Sequence, residues 1–413
     1  MINYQQFTLS NGLKVFVHED NATQMCAVNV MYNVGARDEN PEKTGFAHLF
    51  EHLMFGGSVN IPEYDVAAQQ AGATNNAFTS NDLTNYYLTL PSTNLETAFW
   101  LESDRMLGLV FSPESLEIQR KVVIEEFKQR YLNQPYGNVW LELRNLAYTK
   151  HPYRWATIGK EISHIENATL EDVKSFFYQF YRPNNAILVV AGNTTFKEVK
   201  ELAEKWFAPI PSGTPYHRNL PQEPTQTSQR RLTLEADVPL DAFYMVFHME
   251  KKFDDTYYAT DLLSDILGRG KSSRLYQSLH KEKKIFNSIS ASVTSNLDNG
   301  LFVIQGTLNP NITHTEAEEE VWTIIEALKT NLIDEIELQK VKNKAETSEV
   351  VSEVELLNRA ILIATYALNH REQEINQRFE KLNAVKVQDI QSSAKRVLRK
   401  ENSSVLYYKK IQK

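Results

Sequence analysis

The chain has 413 residues, too many for one hydrophobic core and enough for two domains of about 200 residues each. Its 44 basic and 52 acidic residues give a formal net charge of −8 with no basic run, which argues against nucleic acid as a partner. No stretch approaches the roughly 18 consecutive apolar residues of a membrane span, and the single cysteine, Cys26, excludes an intrachain disulfide and fits a reducing compartment.

At the N-terminus, Met1-Ile-Asn-Tyr-Gln-Gln-Phe7 has neither a basic n-region nor an apolar h-region. The expected compartment is the cytoplasm, with the periplasm as the alternative for a mature chain. The first segment that carries chemistry is Gly45-Phe-Ala-His-Leu-Phe-Glu-His-Leu-Met-Phe-Gly-Gly57. A helix of about ten residues is expected there, with Thr44 as N-cap and Gly56-Gly57 as the left-handed stop. His48 and His52 are four apart, so their imidazoles stack on one face and can reach one point. Two imidazole nitrogens about 2 Å from a common centre suit Zn²⁺. Glu51 shares that face, where a carboxylate can take a proton from a water at the metal. This order of residues, H-x-x-E-H, is the inverzincin pattern. Phe46, Leu49, Phe50, Leu53, Met54 and Phe55 surround the polar triplet, so the helix is expected to be buried. A buried Glu between two buried His needs partners or a metal, and a pair of surface histidines fits such a helix badly.

A hydrolytic zinc site uses three protein ligands and leaves a fourth position for water. Besides the thiol of Cys26, the third ligand can come from Ser112-Pro-Glu-Ser-Leu-Glu-Ile-Gln-Arg-Lys-Val-Val-Ile-Glu-Glu-Phe127. Ser112 as N-cap and Pro113 at the first helical position announce a helix. It runs to about Leu132, where Asn133, Pro135 and Gly137 end it. Glu125 and Glu126 both sit deep within it, and periodicity does not choose between them. Further along, five of the 14 prolines fall between Pro209 and Pro224, followed by Thr225-Gln-Thr-Ser-Gln229. That composition marks an extended linker over 209–229, separating domains at 1–208 and 230–413. The halves repeat: Asp172-Val-Lys-Ser-Phe-Phe-Tyr-Gln-Phe-Tyr-Arg-Pro-Asn-Asn185 aligns without gaps on Asp389-Ile-Gln-Ser-Ser-Ala-Lys-Arg-Val-Leu-Arg-Lys-Glu-Asn402. Each copy closes with an apolar strand, at 186–191 or 404–408. A strand pattern at 243–248 and a helical one at 316–330 complete an α+β reading.

The segments H-L-F-E-H-L-M-F-G-G-S and R-K-V-V-I-E-E together resemble the pitrilysin family of zinc peptidases, which includes the mitochondrial processing peptidases. Weaker likenesses run in family order over almost the whole chain: Ser10-Asn-Gly-Leu-Lys-Val-Phe-Val17, Gly72-Ala-Thr-Asn-Asn-Ala-Phe-Thr-Ser80, His151-Pro-Tyr153, the segment from Arg182 to Gly192, and Leu267-Gly-Arg-Gly-Lys-Ser-Ser-Arg-Leu-Tyr276. The resemblance implies two related α+β domains, each a mostly antiparallel sheet of about six strands covered by helices on one side. It implies one Zn²⁺ per chain on His48, His52 and Glu126, with Glu125 a neighbour and Glu51 the general base. Asn76, Ala77, Phe78 and Thr79 fall on the family's edge strand, which pairs with an extended peptide. Many members carry a Glu seven residues before the ligand; here Gln119 stands on that face, removing a negative charge near the metal.

The second half contains no H-x-x-E-H. In active members a second domain, of the same chain or a partner, supplies an Arg and, seven residues later, a Tyr. Aligned through Ser273-Arg-Leu-Tyr-Gln-Ser-Leu279, those positions hold His280 and Asn287. Neutral His lacks the permanent charge and fork of Arg, and Asn is no phenol. The resemblance therefore implies a metal-bearing member working as a homodimer or, for full activity, with a paralogous subunit that carries the Arg/Tyr pair. The expected function is a zinc endopeptidase or oligopeptidase acting on unstructured peptides. The alternative is a non-catalytic zinc-binding processing or assembly subunit.

Overall fold

A computed structural model describes residues 1–411. The chain forms two compact units, neither of them continuous in sequence. The first comprises Met1–Gln129, Trp155–Pro221 and Val350–Gln377; the second comprises Arg130–Arg154, Gln222–Glu349 and the chain from Arg378 on. The chain leaves the first unit between Pro221 and Gln222, inside the proline-rich 209–229 stretch. Segments 130–154 and 350–377, however, lie in the unit opposite to the one that contiguous domains at 1–208 and 230–413 would give them.

The first unit holds a six-stranded sheet of β1 (Gln5–Thr8), β2 (Lys14–Glu19), β3 (Met25–Tyr32), β4 (Thr74–Thr79), β5 (Thr84–Pro91) and β6 (Ala186–Gly192). Its order is β1-β2-β6-β3-β5-β4, antiparallel except for β2 with β6. β6 is buried at every position and β3 at all but its first, so both faces of the sheet are covered. One cover is the apolar helix Leu356–Leu368, which packs against β3 and β6. Arg359 fastens it by donating to Asp20 (2.8 Å) and contacting His18 (2.9 Å). Three further helices position the site: α1 (Phe46–Leu53), α2 (Leu95–Leu107) and α3 (Pro113–Phe127).

The second unit holds β7 (Arg230–Ala236), β8 (Ala242–His248), β9 (Phe286–Val293), β10 (Leu301–Leu308) and β11 (Ser403–Lys410), in the order β7-β11-β8-β10-β9. Its one parallel pair is β7 with β11. This is the first sheet again, β2-β6-β3-β5-β4, without a counterpart of β1. The aligned repeats fall on helices Leu170–Phe180 and Val387–Val397, which lead into β6 and β11. Asp172 and Asp389 do the same work in each, accepting the backbone N–H of Thr169 (3.1 Å) and of Lys386 (2.8 Å). Helix Val139–Ala147, from the N-terminal half of the chain, packs on β7, β8 and β11 and shares a core with Tyr153, Val246 and Leu406. The end of its segment is tied down by Glu223, which accepts the backbone N–H groups of Thr149, Lys150 and His151. Burial works against that charge, but these bonds hold the carboxyl below its usual range. Among the described residues no helix is long and apolar enough to cross a membrane.

Candidate metal centre

The start of α1 differs from the local expectation. Its N-cap is Gly45, at φ 89°, and Thr44 caps nothing: its hydroxyl accepts the N–H of Lys160 (2.8 Å). A side chain at Gly45 would place Cβ 2.6 Å from the carbonyl oxygen of Ile158, so only glycine fits this left-handed turn. The capping role passes to Glu39, six residues before Gly45. Its carboxylate accepts the N–H groups of Gly45 and Ala47 (both 2.9 Å) and the indole N–H of Trp155 (3.1 Å). Burial pushes this carboxyl up to about 8, against the pull of those three donors.

From that start, α1 buries Phe46, Ala47, Leu49, Phe50 and Leu53, with the Phe50 ring stacked on Phe176 and Tyr181. His48 is buried, while Glu51 and His52 are half-buried, so the polar face opens to one side. α3 packs against α1. It begins as expected, with the Ser112 hydroxyl accepting the N–H of Ser115 (3.0 Å), but its α-helical hydrogen bonding ends at Phe127 and a π-helical turn continues to Leu132.

Near the end of α3, Glu126 Oε2 lies 3.5 Å from His48 Nε2 and 3.4 Å from His52 Nε2. These separations are long for hydrogen bonds, which run about 2.7–3.2 Å. They match the edge of a tetrahedron whose ligand bonds are about 2.0–2.1 Å, an edge of about 3.3–3.4 Å. Among the described residues this trio is the group of His, Cys, Asp or Glu whose donor atoms all lie within 4.8 Å of one another. Two imidazoles and a carboxylate suit zinc and leave a fourth position open. Glu125 points elsewhere; it is exposed and paired with Lys128 (2.6 Å). Cys26 is buried in β3, contacts the Asn193 carbonyl, and has its thiol pushed up to about 11 by burial. Gln119 faces the glycine stop after α1: its amide nitrogen is 3.9 Å from where a Cβ on Gly56 would stand.

Burial raises the Glu51 carboxyl above the ordinary carboxylate range, while the hydroxyl and N–H of Thr79 and the neighbouring His52 pull it back. Thr79 belongs to β4, which ends the sheet and pairs with β5 alone among the described residues. The Ala77 N–H turns away from β5 to its neighbour's side-chain oxygen, Asn76 Oδ1 (2.8 Å). Two residues on, the Thr79 hydroxyl reaches the Ala47 carbonyl of α1 (3.5 Å). The structure thus brings His48, His52, Glu126, Glu51 and Thr79 together, with Asn76 and Phe78 on the adjoining strand. No local signal in the sequence marks Glu39 or Trp155 as the groups that hold this helix.

His280 and Asn287 lie in the second unit and are occupied locally. His280 Nδ1 is 3.1 Å from the Phe286 carbonyl oxygen, and the Asn287 amide reaches the Thr307 hydroxyl (3.4 Å). Arg274, close in sequence, is committed to Glu337 through two bonds of 3.1 and 2.7 Å.

The family described as Insulinase (Peptidase family M16) matches residues 14–160, and that described as Peptidase M16 inactive domain matches residues 167–345. The chain is 30% identical to the zinc protease PqqE of Helicobacter pylori, over 98% of this chain and 93% of that protein. It is 28% identical to a probable mitochondrial-processing peptidase subunit beta of Schizosaccharomyces pombe, over 72% of this chain and 67% of that one. The crystal structure of a protease from Helicobacter pylori superposes with a TM-score of 0.92 at 29% identity, covering 99% of this chain and all of that one.

Proposed function

The chain belongs to the insulinase family of peptidases, family M16, and from that premise we propose that it is a zinc-dependent endopeptidase or oligopeptidase of unstructured peptides with Glu51 as its general base. His48, His52 and Glu126 would hold one Zn²⁺ per chain. The tetrahedral-edge spacing of Glu126 Oε2 from both imidazole nitrogens is the observation that carries this reading. Zinc held there would supply a Lewis acid and would lower the pKa of a water toward about 7. Glu51 would accept a proton from the attacking water and return it to the leaving amine. Partial burial suits both transfers, because it brings the carboxyl's proton affinity closer to neutrality. Gln119, beside the turn that ends α1, would keep this surrounding less negative than a Glu would.

The free edge of β4 is the proposed substrate strand, with Asn76, Ala77, Phe78 and Thr79 binding an extended peptide by β-augmentation. Since β4 packs against α1 and Thr79 touches the Ala47 carbonyl, a peptide laid along this edge would run past the helix that bears the base. Ala77→Pro removes an N–H that points away from β5, so it should spare the β4–β5 ladder. We expect the variant to fold, by circular dichroism, and to raise KM for peptides about tenfold or more. An unchanged KM in the folded variant would remove β4 as the substrate strand.

A partner subunit is part of the proposal, because His280, Asn287 and Arg274 are engaged within their own unit. An oxyanion stabiliser is typically worth about 10²–10³ in rate. The purified chain with zinc, assayed on a mixture of unstructured peptides, should therefore be about that much slower alone than with a paralogue bearing the Arg/Tyr pair. A homodimer would duplicate the deficiency. Full activity of the lone chain would refute the division of labour. Hydrolysis absent in both arms, with zinc bound, would favour the second reading, a non-catalytic processing or assembly subunit. The likeness of 167–345 to an inactive domain is the observation on that side. The proposed compartment is the cytoplasm, where the lone buried thiol of Cys26 stays reduced.

A further inference from the structure

Against the C-terminal turn of α1 lies a charged cluster for which the proposed chemistry has no use. Arg105 and Glu102, one turn apart on α2, are both 0% exposed. The guanidinium donates to Glu102 from Nε (2.9 Å) and from Nη2 (2.5 Å). Its central carbon stands 4.4 Å from the ring centroid of Tyr86, 4.7 Å from that of Tyr64 and 5.3 Å from that of Phe55. The Tyr64 hydroxyl donates to the same Glu102 (2.8 Å), and Arg105 Nη1 has no hydrogen-bond partner.

Stability alone is a poor account of such a pair. Burying two charges carries a penalty of several kcal/mol per ion, and well-packed apolar replacements of buried pairs are often neutral or stabilising. What the pair adds is direction, since a two-pronged salt bridge and aromatic faces fix the guanidinium plane. The groups so fixed hold the end of α1. Phe55 follows its last turn, and the Tyr86 hydroxyl donates to the carbonyl of Phe50, the residue before Glu51 (3.3 Å). Asp104, next to Arg105, accepts the Ser58 hydroxyl (2.5 Å), the Asn60 N–H (2.9 Å) and the Asn60 amide (2.6 Å). Those residues lie just beyond the Gly56-Gly57 stop.

We propose that Glu102 and Arg105 are positioning residues of the metal centre, setting the last turn of α1 through Phe55, Tyr64 and Tyr86 and so aiming His52 and Glu51. The proposal rests on the zinc reading of His48, His52 and Glu126. It is tested on the full chain with three proteins: the wild type, the apolar double variant Glu102→Leu/Arg105→Met, and Tyr86→Phe. Three quantities are measured: melting of the metal-free protein, zinc affinity by competition with a chromophoric chelator, and the visible d–d spectrum of the Co²⁺-loaded chain. The double variant should melt within a few degrees of the wild type, yet bind zinc about tenfold or more weakly, the scale typical of groups that orient ligands. Its Co²⁺ spectrum should shift, and Tyr86→Phe should shift it in the same sense with a smaller loss of affinity. Wild-type affinity and spectrum in the double variant would overturn the proposal. Should that variant fail to fold, the same wild-type result in Tyr86→Phe overturns it. A wild-type chain that binds no zinc would overturn the metal centre itself, a failure distinguishable from the first.

Discussion

Glu51→Gln is expected to lower peptide hydrolysis by about 10²–10⁴-fold, the range of a lost general base, while zinc content stays at one ion per chain. The substitution keeps the side chain's shape but removes the only carboxylate on α1. Glu51 is not one of the three donors that converge, so metal binding should persist. Its neighbours make the change gentle on folding: the side chain is half-buried and its carboxyl is already pushed toward the neutral form by burial. The measurement pairs metal analysis with turnover of the same preparation, in the presence of partner if the lone chain is slow. Loss of zinc in Glu51→Gln would mean that the glutamate is a ligand. Turnover within tenfold of the wild type would mean that another group takes the proton.

The polar face of α1 was readable because its geometry is local. A four-residue spacing on one helix turns letters into a distance, and the Ser112-Pro113 start of α3 depends on nothing outside its own first turn. Where a choice depended on groups outside the helix, the letters failed. Thr44 has the right side chain for an N-cap, but the left-handed turn at Gly45 and the carboxylate of Glu39 took that task. The proline-rich stretch advertised a crossing between units. The exchanged segments did not, since Val139 and Leu143, or Ile363 and Ala364, announce burial without saying against which sheet. The one-sided helical cover implied by resemblance is supplemented for the same reason, by Leu356–Leu368 over β3 and β6. Glu102 and Arg105 have the i, i+3 spacing common to surface pairs, and only the rings that close over them make the pair unusual.

Glu126→Ala and His48→Ala are each expected to abolish stoichiometric zinc, and Glu125→Ala to retain it. The two glutamates are adjacent, so a helix sends their side chains about 100° apart and only one can face α1. Glu126 takes that face, 3.4–3.5 Å from both imidazoles, and Glu125 takes solvent and Lys128. Removing Glu126 leaves two neutral nitrogens for a dication, with no anionic ligand to offset its charge. Removing Glu125 costs an exposed ion pair, worth about 1 kcal/mol or less. The stability of the metal-free proteins should also separate the sites. A carboxylate beside two imidazoles contributes little once the metal is gone, so Glu126→Ala should melt near the wild type without zinc and fall below it when zinc is added. Binding stabilises only the species that binds, by RT ln(1 + [L]/Kd). Melting curves with and without added Zn²⁺ therefore report ligation independently of activity. A zinc-induced rise in Glu126→Ala equal to that of the wild type, with none in Glu125→Ala, would reverse the assignment of the third ligand.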